Sequence, residues 1–482
     1  MAEQLRDKVA SSVAWSAAEK VGSMLLQMVV SIVVARLLLP EDFGVLAILT
    51  FFTALSVVFV DSGFSQTLIA RSNPTEDDYK SVFVFNIVIS LLLYVLLVAA
   101  SPLIASYYGL PIISTIAPVL LLLLPLGALS VIQNTIFARQ FRFAALSRIN
   151  LLCSAVAGGV AIVMALCHLG VWSLVGQRLV QMALKAALLW WYGDWRAQGK
   201  FSVSSLRAMS SFSFRLMGTD VISYLYNNIA QLFIGKIYSA DTLGYFNQAQ
   251  KLKELPVTSI VQSFQSVTYP ALSNIKDNKA KFADSYRRVL LITAAVLFPI
   301  MVGMIAVADD MFMLLLGERW LPTVPYFKVL SLSGLFYPLT MIAANVLKVA
   351  GDGVLIIRLE VVKKGIMTII LLLTIPHSAM AVAWGLVAMA AVEFLLNVAA
   401  SLRFSTLSAW SIVRSLLPVS LLTAAIYCVV EVVTPHIAFL PLFSRFVVQV
   451  GAGVLTYTLG AVAFRTEFMA EFAEIIRRMV RR

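Results

Sequence analysis

About fourteen stretches of this chain are each long and apolar enough to cross a bilayer, which takes roughly 20 residues as a helix. They cover 15–36, 43–64, 81–101, 116–137, 149–167, 171–192, 214–235, 244–268, 289–308, 326–347, 360–376, 380–401, 414–433 and 446–464. In lipid every backbone polar group needs a partner within the protein, so only helices or closed barrels can span. Barrel strands alternate apolar and polar residues over about ten positions. These runs are longer and continuously apolar, so the fold class is all-α, a polytopic membrane protein. The 60% hydrophobic and 13% charged composition of the 482 residues agrees. A soluble domain averages about 45–50% apolar and about 25% charged.

The net charge of +12 would suit a nucleic-acid partner if it were clustered. It is instead segregated by loop. With the N-terminus placed in the cytoplasm, outer loops carry only Arg36, Lys236, Arg319 and Arg445, with Lys328 just inside the tenth stretch. The inner segments hold the rest, from Arg6 and Lys8 through Arg139, Arg142, Arg207, Arg287 and Arg288 to Arg481 and Arg482. This is the positive-inside pattern. It predicts both termini inside and an even number of spans, and it accounts for the basic excess without nucleic acid. The opening "MAEQLRDKVASS" lacks the features of a cleaved secretory signal. The last 17 residues, 466–482, predict an amphipathic surface helix with Phe468, Phe472, Ile475 and Met479 on one face. Cys153, Cys167 and Cys428 form no CxxC, and His168, His377 and His436 lie far apart. No cofactor or metal is expected.

The short break "VARLLLPEDFGVLA" (34–47) has a counterpart in "IGKIYSADTLGYFNQA" (234–249). At an offset of 200, Gly44 meets Gly244, Arg36 meets Lys236 and Glu41 meets Asp241. Polar positions repeat in the same phase. Lys20, Ser23, Gln27 and Ser31 of the first stretch fall opposite Asp220, Ser223, Asn227 and Gln231 of the seventh. The reading is a duplication of six spans: an N-terminal lobe over 1–200, a second over 201–403, two further spans over 404–465, then the tail. Six spans return the chain to the same side, so the copies run parallel. Such repeats are a transporter architecture with the substrate path between halves.

Polar groups in lipid are costly and should face an interior or an aqueous cavity. Three- and four-residue spacing sets them on one helical face. On the seventh stretch the set is Asp220, Ser223, Tyr224, Asn227 and Gln231, with Arg215 at the inner end of the stretch and Asn228 next in sequence to Asn227. On the eighth it is Asn247, Lys251, Glu254, Thr258, Gln262 and Gln265, with Lys253 slightly off the face and Gln248 next in sequence to Asn247. Lys20, Arg215, Lys251 and Lys253 are the candidates for binding an anionic substrate. Gln27 and the amides and tyrosine above would line the same cavity. Asp220 and Glu254 are candidates for carrying a coupling ion, Na⁺ or H⁺. Glu393 and Asn397, an i,i+4 pair, either bind a cation or pair with another helix. Ser23, Ser31 and Thr258 fit plain helix–helix hydrogen bonding. Arg178 and Lys185, seven residues apart on the sixth stretch, are weaker candidates. No nucleophile elbow, zinc-protease or nucleotide-binding motif occurs, and the outer loops are short. A duplicated bundle with a polar seam reads as a secondary transporter.

"SSVAWSAAEKVGSMLLQMVVSIVVARLLLPEDFGVLAIL", "DSGFSQTLIA" and "LLGERWLPTVPYFKVLSL" resemble segments of bacterial polysaccharide transporters of the multidrug/oligosaccharidyl-lipid/polysaccharide superfamily. The likeness is to the Wzx-type, colanic-acid-exporter-like flippases. The resemblance implies fourteen helices in the bacterial inner membrane. It also implies flipping of undecaprenyl-pyrophosphate-linked sugar units to the periplasmic leaflet through a cationic cavity lined by spans one, two, seven and eight. Lys20, Arg215, Lys251 and Lys253 match that cavity by location, although Asp220 and Glu254 make its charge mixed. The polymerase machinery that uses the flipped units is the implied partner. The rival expectations are an ion-coupled drug or metabolite exporter, a peptidoglycan-precursor flippase, and a membrane polysaccharide polymerase or ligase.

Overall fold

A computed structural model describes residues 22–463, apart from the side chains of 259, 262–267 and 270. Lys20, the side chains of Gln262 and Gln265, and the predicted tail helix lie outside the described residues. No strand occurs among the described residues. The chain runs α1 (Gly22–Leu37), α2 (Pro40–Asp61), α3 (Phe64–Ala70), α4 (Glu76–Tyr108), α5 (Ile112–Leu120), α6 (Leu123–Arg139), α7 (Phe143–Leu166), α8 (Val171–Tyr192) and α9 (Val203–Ile237). Then come α10 (Ala240–Asn274), α11 (Lys279–Ala306), α12 (Ala308–Leu315), α13 (Thr323–Ala350), α14 (Gly353–Thr374), α15 (Ala379–Ser401), α16 (Ala409–His436) and α17 (Leu442–Ala463). Among the described residues, the apolar stretches named above fall on helix apart from short turns, as at Ser62–Gly63 and Leu121–Leu122; 15–21 and 464 lie outside the described residues. Among the described residues, nine helical segments are long and apolar enough to cross a membrane. The chain is thus a multi-pass membrane protein. α8, α9, α10 and α14 are also long, at 22, 35, 35 and 22 residues, but carry more polar side chains.

Local chemistry explains the ends. Thr75 caps α4 by accepting from the Asp78 amide at 3.2 Å, while Asp78 accepts from the Thr75 amide at 2.9 Å. This reciprocal box starts the helix five residues ahead of the apolar stretch. Gly109 ends it in the left-handed region, φ 69°. α2 starts at Pro40, whose missing N–H costs nothing at a first turn. Asp42 accepts from the Leu39 amide at 3.0 Å. Ser62 and Gly63, both at positive φ, divide α3 from α2.

The chain divides into two compact units, 1–244 and 245–482. The boundary anticipated from the repeat lay at 200/201; in packing, α9 belongs with the first unit. It lies along α2 and α3. Phe51 meets Tyr224 at 5.6 Å between ring centroids, Phe64 meets Phe214 at 6.0 Å, and Thr67 Oγ1 lies 2.7 Å from Ser213 Oγ. An aromatic cluster of Tyr79, Phe83, Trp190 and Trp195 fills the same unit's core. In the second unit α11, α13, α15, α16 and α17 close around Tyr286, Leu290, Ala343, Val419 and Ala461. The Tyr286 hydroxyl lies 2.9 Å from Ser401 Oγ there, so its polar tip is satisfied.

Candidate functional site

In the first unit the site is α9. Arg215, Asp220, Ser223 and Asn227 are exposed, and Tyr224, Asn228 and Gln231 are half-buried, all on a helix of membrane-crossing length. Polar side chains at that depth need water, a ligand or protein partners. Arg215 turns back on its own helix, donating from Nε to the Ser211 carbonyl at 2.8 Å and from Nη2 to Ser211 Oγ at 3.1 Å. Asp61, at the end of α2, accepts from the Ser65 amide at 3.3 Å and from the Ser65 hydroxyl. It lies within electrostatic range of Asp220. Sequence spacing along one helix does not show this relation; it comes from the packing of α2 against α9. Asn228 donates to the Tyr224 carbonyl at 2.9 Å. On α1, Gln27 is exposed.

The second unit carries its own set on α10. Lys251, Glu254 and Thr258 are exposed on one face, with Asn247 half-buried. Glu254 accepts from Gln250 at 3.1 Å. Gln248 is buried, 3% exposed. Lys253 departs from the expected grouping. A two-residue step rotates it well round the helix from Lys251, so it is half-buried and reaches Ser333 Oγ of α13 at 3.4 Å. On α15, Asn397 is buried and Glu393 is faced by Lys363 and Lys364 of α14. Lys363 also pairs with Glu360. No group of three or more His, Cys, Asp or Glu able to hold a metal occurs among the described residues.

At the α1–α2 turn the first unit shows a contact that depends on two missing side chains. A Cβ on Gly44 would sit 1.9 Å from the Ala240 carbonyl oxygen, and one on Gly244 would sit 2.0 Å from the Pro40 carbonyl oxygen. Real atoms do not approach so closely, so both positions require glycine for backbone to meet backbone. The four residues are pairs at the offset of 200, and each contact is the other's counterpart. Beside it the Lys236 ammonium lies 4.3 Å from the centroid of the Tyr107 ring and donates to the Tyr107 carbonyl.

A multi-pass helical membrane protein with polar faces on long helices, joined at its turns by paired glycines, is the class these features define. The chain belongs to the polysaccharide biosynthesis protein family, whose model matches residues 33–325. It is 24% identical to the succinoglycan biosynthesis transport protein ExoT of Rhizobium meliloti over 67% of this chain and 66% of that one. It is 25% identical to the teichuronic acid biosynthesis protein TuaB of Bacillus subtilis over 59% of each. With the lipopolysaccharide biosynthesis protein WzxC of Escherichia coli it shares 24% identity over 69% of this chain and 68% of that one. The match thus spans less than two thirds of the length of ExoT and TuaB. The fold matches the solved structure of the lipid II flippase MurJ, inward closed conformation. The TM-score is 0.75 at 15% identity, covering 94% of this chain and 99% of that one. A multidrug resistance MATE transporter in its inward-facing conformation gives 0.59 at 16% identity, over 80% and 95%.

Proposed function

We propose that the protein is a secondary transporter that flips undecaprenyl-pyrophosphate-linked oligosaccharide units from the cytoplasmic to the periplasmic leaflet of the bacterial inner membrane, for polysaccharide export. The observation that carries the reading is the polar face of α9, where Arg215, Asp220, Ser223 and Asn227 stay exposed on a membrane-length helix. Membership of a polysaccharide biosynthesis family and the MurJ-like fold point the same way. The lipid carrier's tail stays in the bilayer while its polar head crosses. The head is anionic, and Lys or Arg in a low-dielectric passage attracts it strongly. Lys20, Arg215 and Lys251 take the pyrophosphate in this reading, and the amides of Asn227, Asn228, Gln231 and Asn247 hydrogen-bond sugar hydroxyls. Alternating access is the rocking of two repeated halves. Both termini lie in the cytoplasm. Na⁺ or H⁺ drives the cycle, a polymerase receives the product, and the protein itself catalyses no bond change.

The test is leaflet location. The protein is depleted, and an impermeant reagent is applied to intact spheroplasts to reach lipid-linked sugars. Units that accumulate and stay unreachable mark a lost flip step, as expected. Units that accumulate yet are reachable mean that polymerisation failed, and the enzyme reading replaces this one. No accumulation points to a drug or metabolite exporter.

A further inference from the structure

Arg178 is an intramembrane cation outside the polar faces of α9 and α10. It lies seven residues into α8, about 11 Å from its start. It is half-buried, and it makes no hydrogen bond and no ion pair among the described residues. Other cations of the same molecule are answered by carboxylates: Lys328 by Asp309, Lys363 by Glu360 and Arg445 by Asp310. A guanidinium left unanswered at membrane depth is expensive, and such residues mark substrate paths.

Its neighbour is Tyr224. α2 packs against both α8 and α9, and the two side chains lie within electrostatic range of each other. The Tyr224 ring rests on Phe51 of α2, tilted 40° with centroids 5.6 Å apart. Its hydroxyl makes no hydrogen bond among the described residues. A planar cationic fork thus lies within electrostatic range of a tyrosine whose hydroxyl is unengaged among the described residues. That combination suits a sugar bearing an acid group. The fork takes the acid in two parallel hydrogen bonds, the ring takes the apolar face of the sugar, and the phenol takes a hydroxyl.

The position along α9 decides which acid. Arg215 precedes Tyr224 by nine residues, about 14 Å along the helix. That exceeds the span of one pyranose ring. With the pyrophosphate at Arg215, a group at Arg178 belongs to a sugar beyond the first.

We propose that Arg178 and Tyr224 form a subsite for an acidic sugar of the transported unit, one carrying its carboxylate distal to the lipid pyrophosphate. The inference rests on the flippase reading and names its substrate class as an anionic glycan.

The full chain, purified in detergent, is titrated with cellobiouronic acid, cellobiose and inorganic pyrophosphate, and its thermal unfolding is followed. The wild type should bind the uronic acid about tenfold more tightly than the neutral disaccharide, the size of one charge-assisted bidentate contact. Arg178→Gln should erase that preference and leave pyrophosphate binding alone. Arg178→Lys, which keeps the charge and loses the fork, should retain part of it and serves where the glutamine variant fails to fold. Tyr224→Phe should weaken both disaccharides and keep the preference. A wild type without preference, or a preference that survives Arg178→Gln, overturns the proposal. Loss of pyrophosphate binding instead assigns Arg178 to the carrier and overturns it as well. Should leaflet location rule out flipping while the preference persists, the transport reading falls and the sugar site stands.

Discussion

Gly44 and Gly244 close a reciprocal backbone contact, each seated on the carbonyl that its counterpart's neighbour supplies, Ala240 for the one and Pro40 for the other. Because a methyl group fits at neither glycine, the contact reports directly on one conformation. Gly44→Ala should shift the population away from it. In a chain with Cys153, Cys167 and Cys428 replaced, Ala240→Cys, at a position buried in the contact, should label with maleimide several-fold faster when Gly44→Ala is added. Unchanged labelling would mean that the contact is already open in the membrane.

Lys251 is exposed on α10 at a depth where a cation has few other uses. Reversing its charge, Lys251→Glu, should lower export by more than about tenfold, since a like charge facing an anionic head costs several kcal/mol. Protein abundance in the membrane should not change. Normal export from Lys251→Glu and from Lys20→Glu alike would remove the cationic passage.

Reporters fused after Arg142, Arg207 and Arg288 should all read cytoplasmic, as the loop charges require. A periplasmic signal at any one would break both the orientation and the parallel repeat.

Arg445 of α17 donates from Nε to Asp310 at 2.6 Å, and its second nitrogen completes the pair. Asp310 is 5% exposed. Arg445→Ala strands a buried carboxylate and should cost about 3–5 kcal/mol, read as a fall in melting temperature in detergent. The double variant Asp310→Asn, Arg445→Gln should recover most of the loss. Equal melting temperatures for the single and double variants would show that the charge is not what matters.

The helices were legible because lipid imposes one rule on every span, and apolar length is printed in the sequence. Their ends were less so. α4 runs from Glu76 to Tyr108 rather than over 81–101, because the Thr75–Asp78 box and Gly109 set its limits outside the apolar core. The division of α2 from α3 turns on two positive φ values that no hydropathy pattern carries. Site residues separate similarly. Spacing put Lys251 and Glu254 on one face, where they stand. It could not place Lys253 against Ser333, nor Asp61 near Asp220, since those relations belong to packing between helices. The same holds for Arg178: its sequence position is plain, but only the fold reveals that no carboxylate answers it among the described residues. The offset of 200 matched Gly44 to Gly244, and nothing in the alignment says that the two touch.

The attachment of α9 to α2 and α3 bears on how the chain is made. A ribosome that has delivered 200 residues has not yet completed the first compact unit, which extends to Gly244. Until α9 arrives, Phe51, Phe64 and Thr67 lack the helix that meets them. α9 is in turn too polar to rest comfortably in lipid by itself. Each shelters the other's liability. The order of synthesis therefore sets an assembly checkpoint at the seventh long stretch, and truncations should become stable in the membrane only once they extend past it.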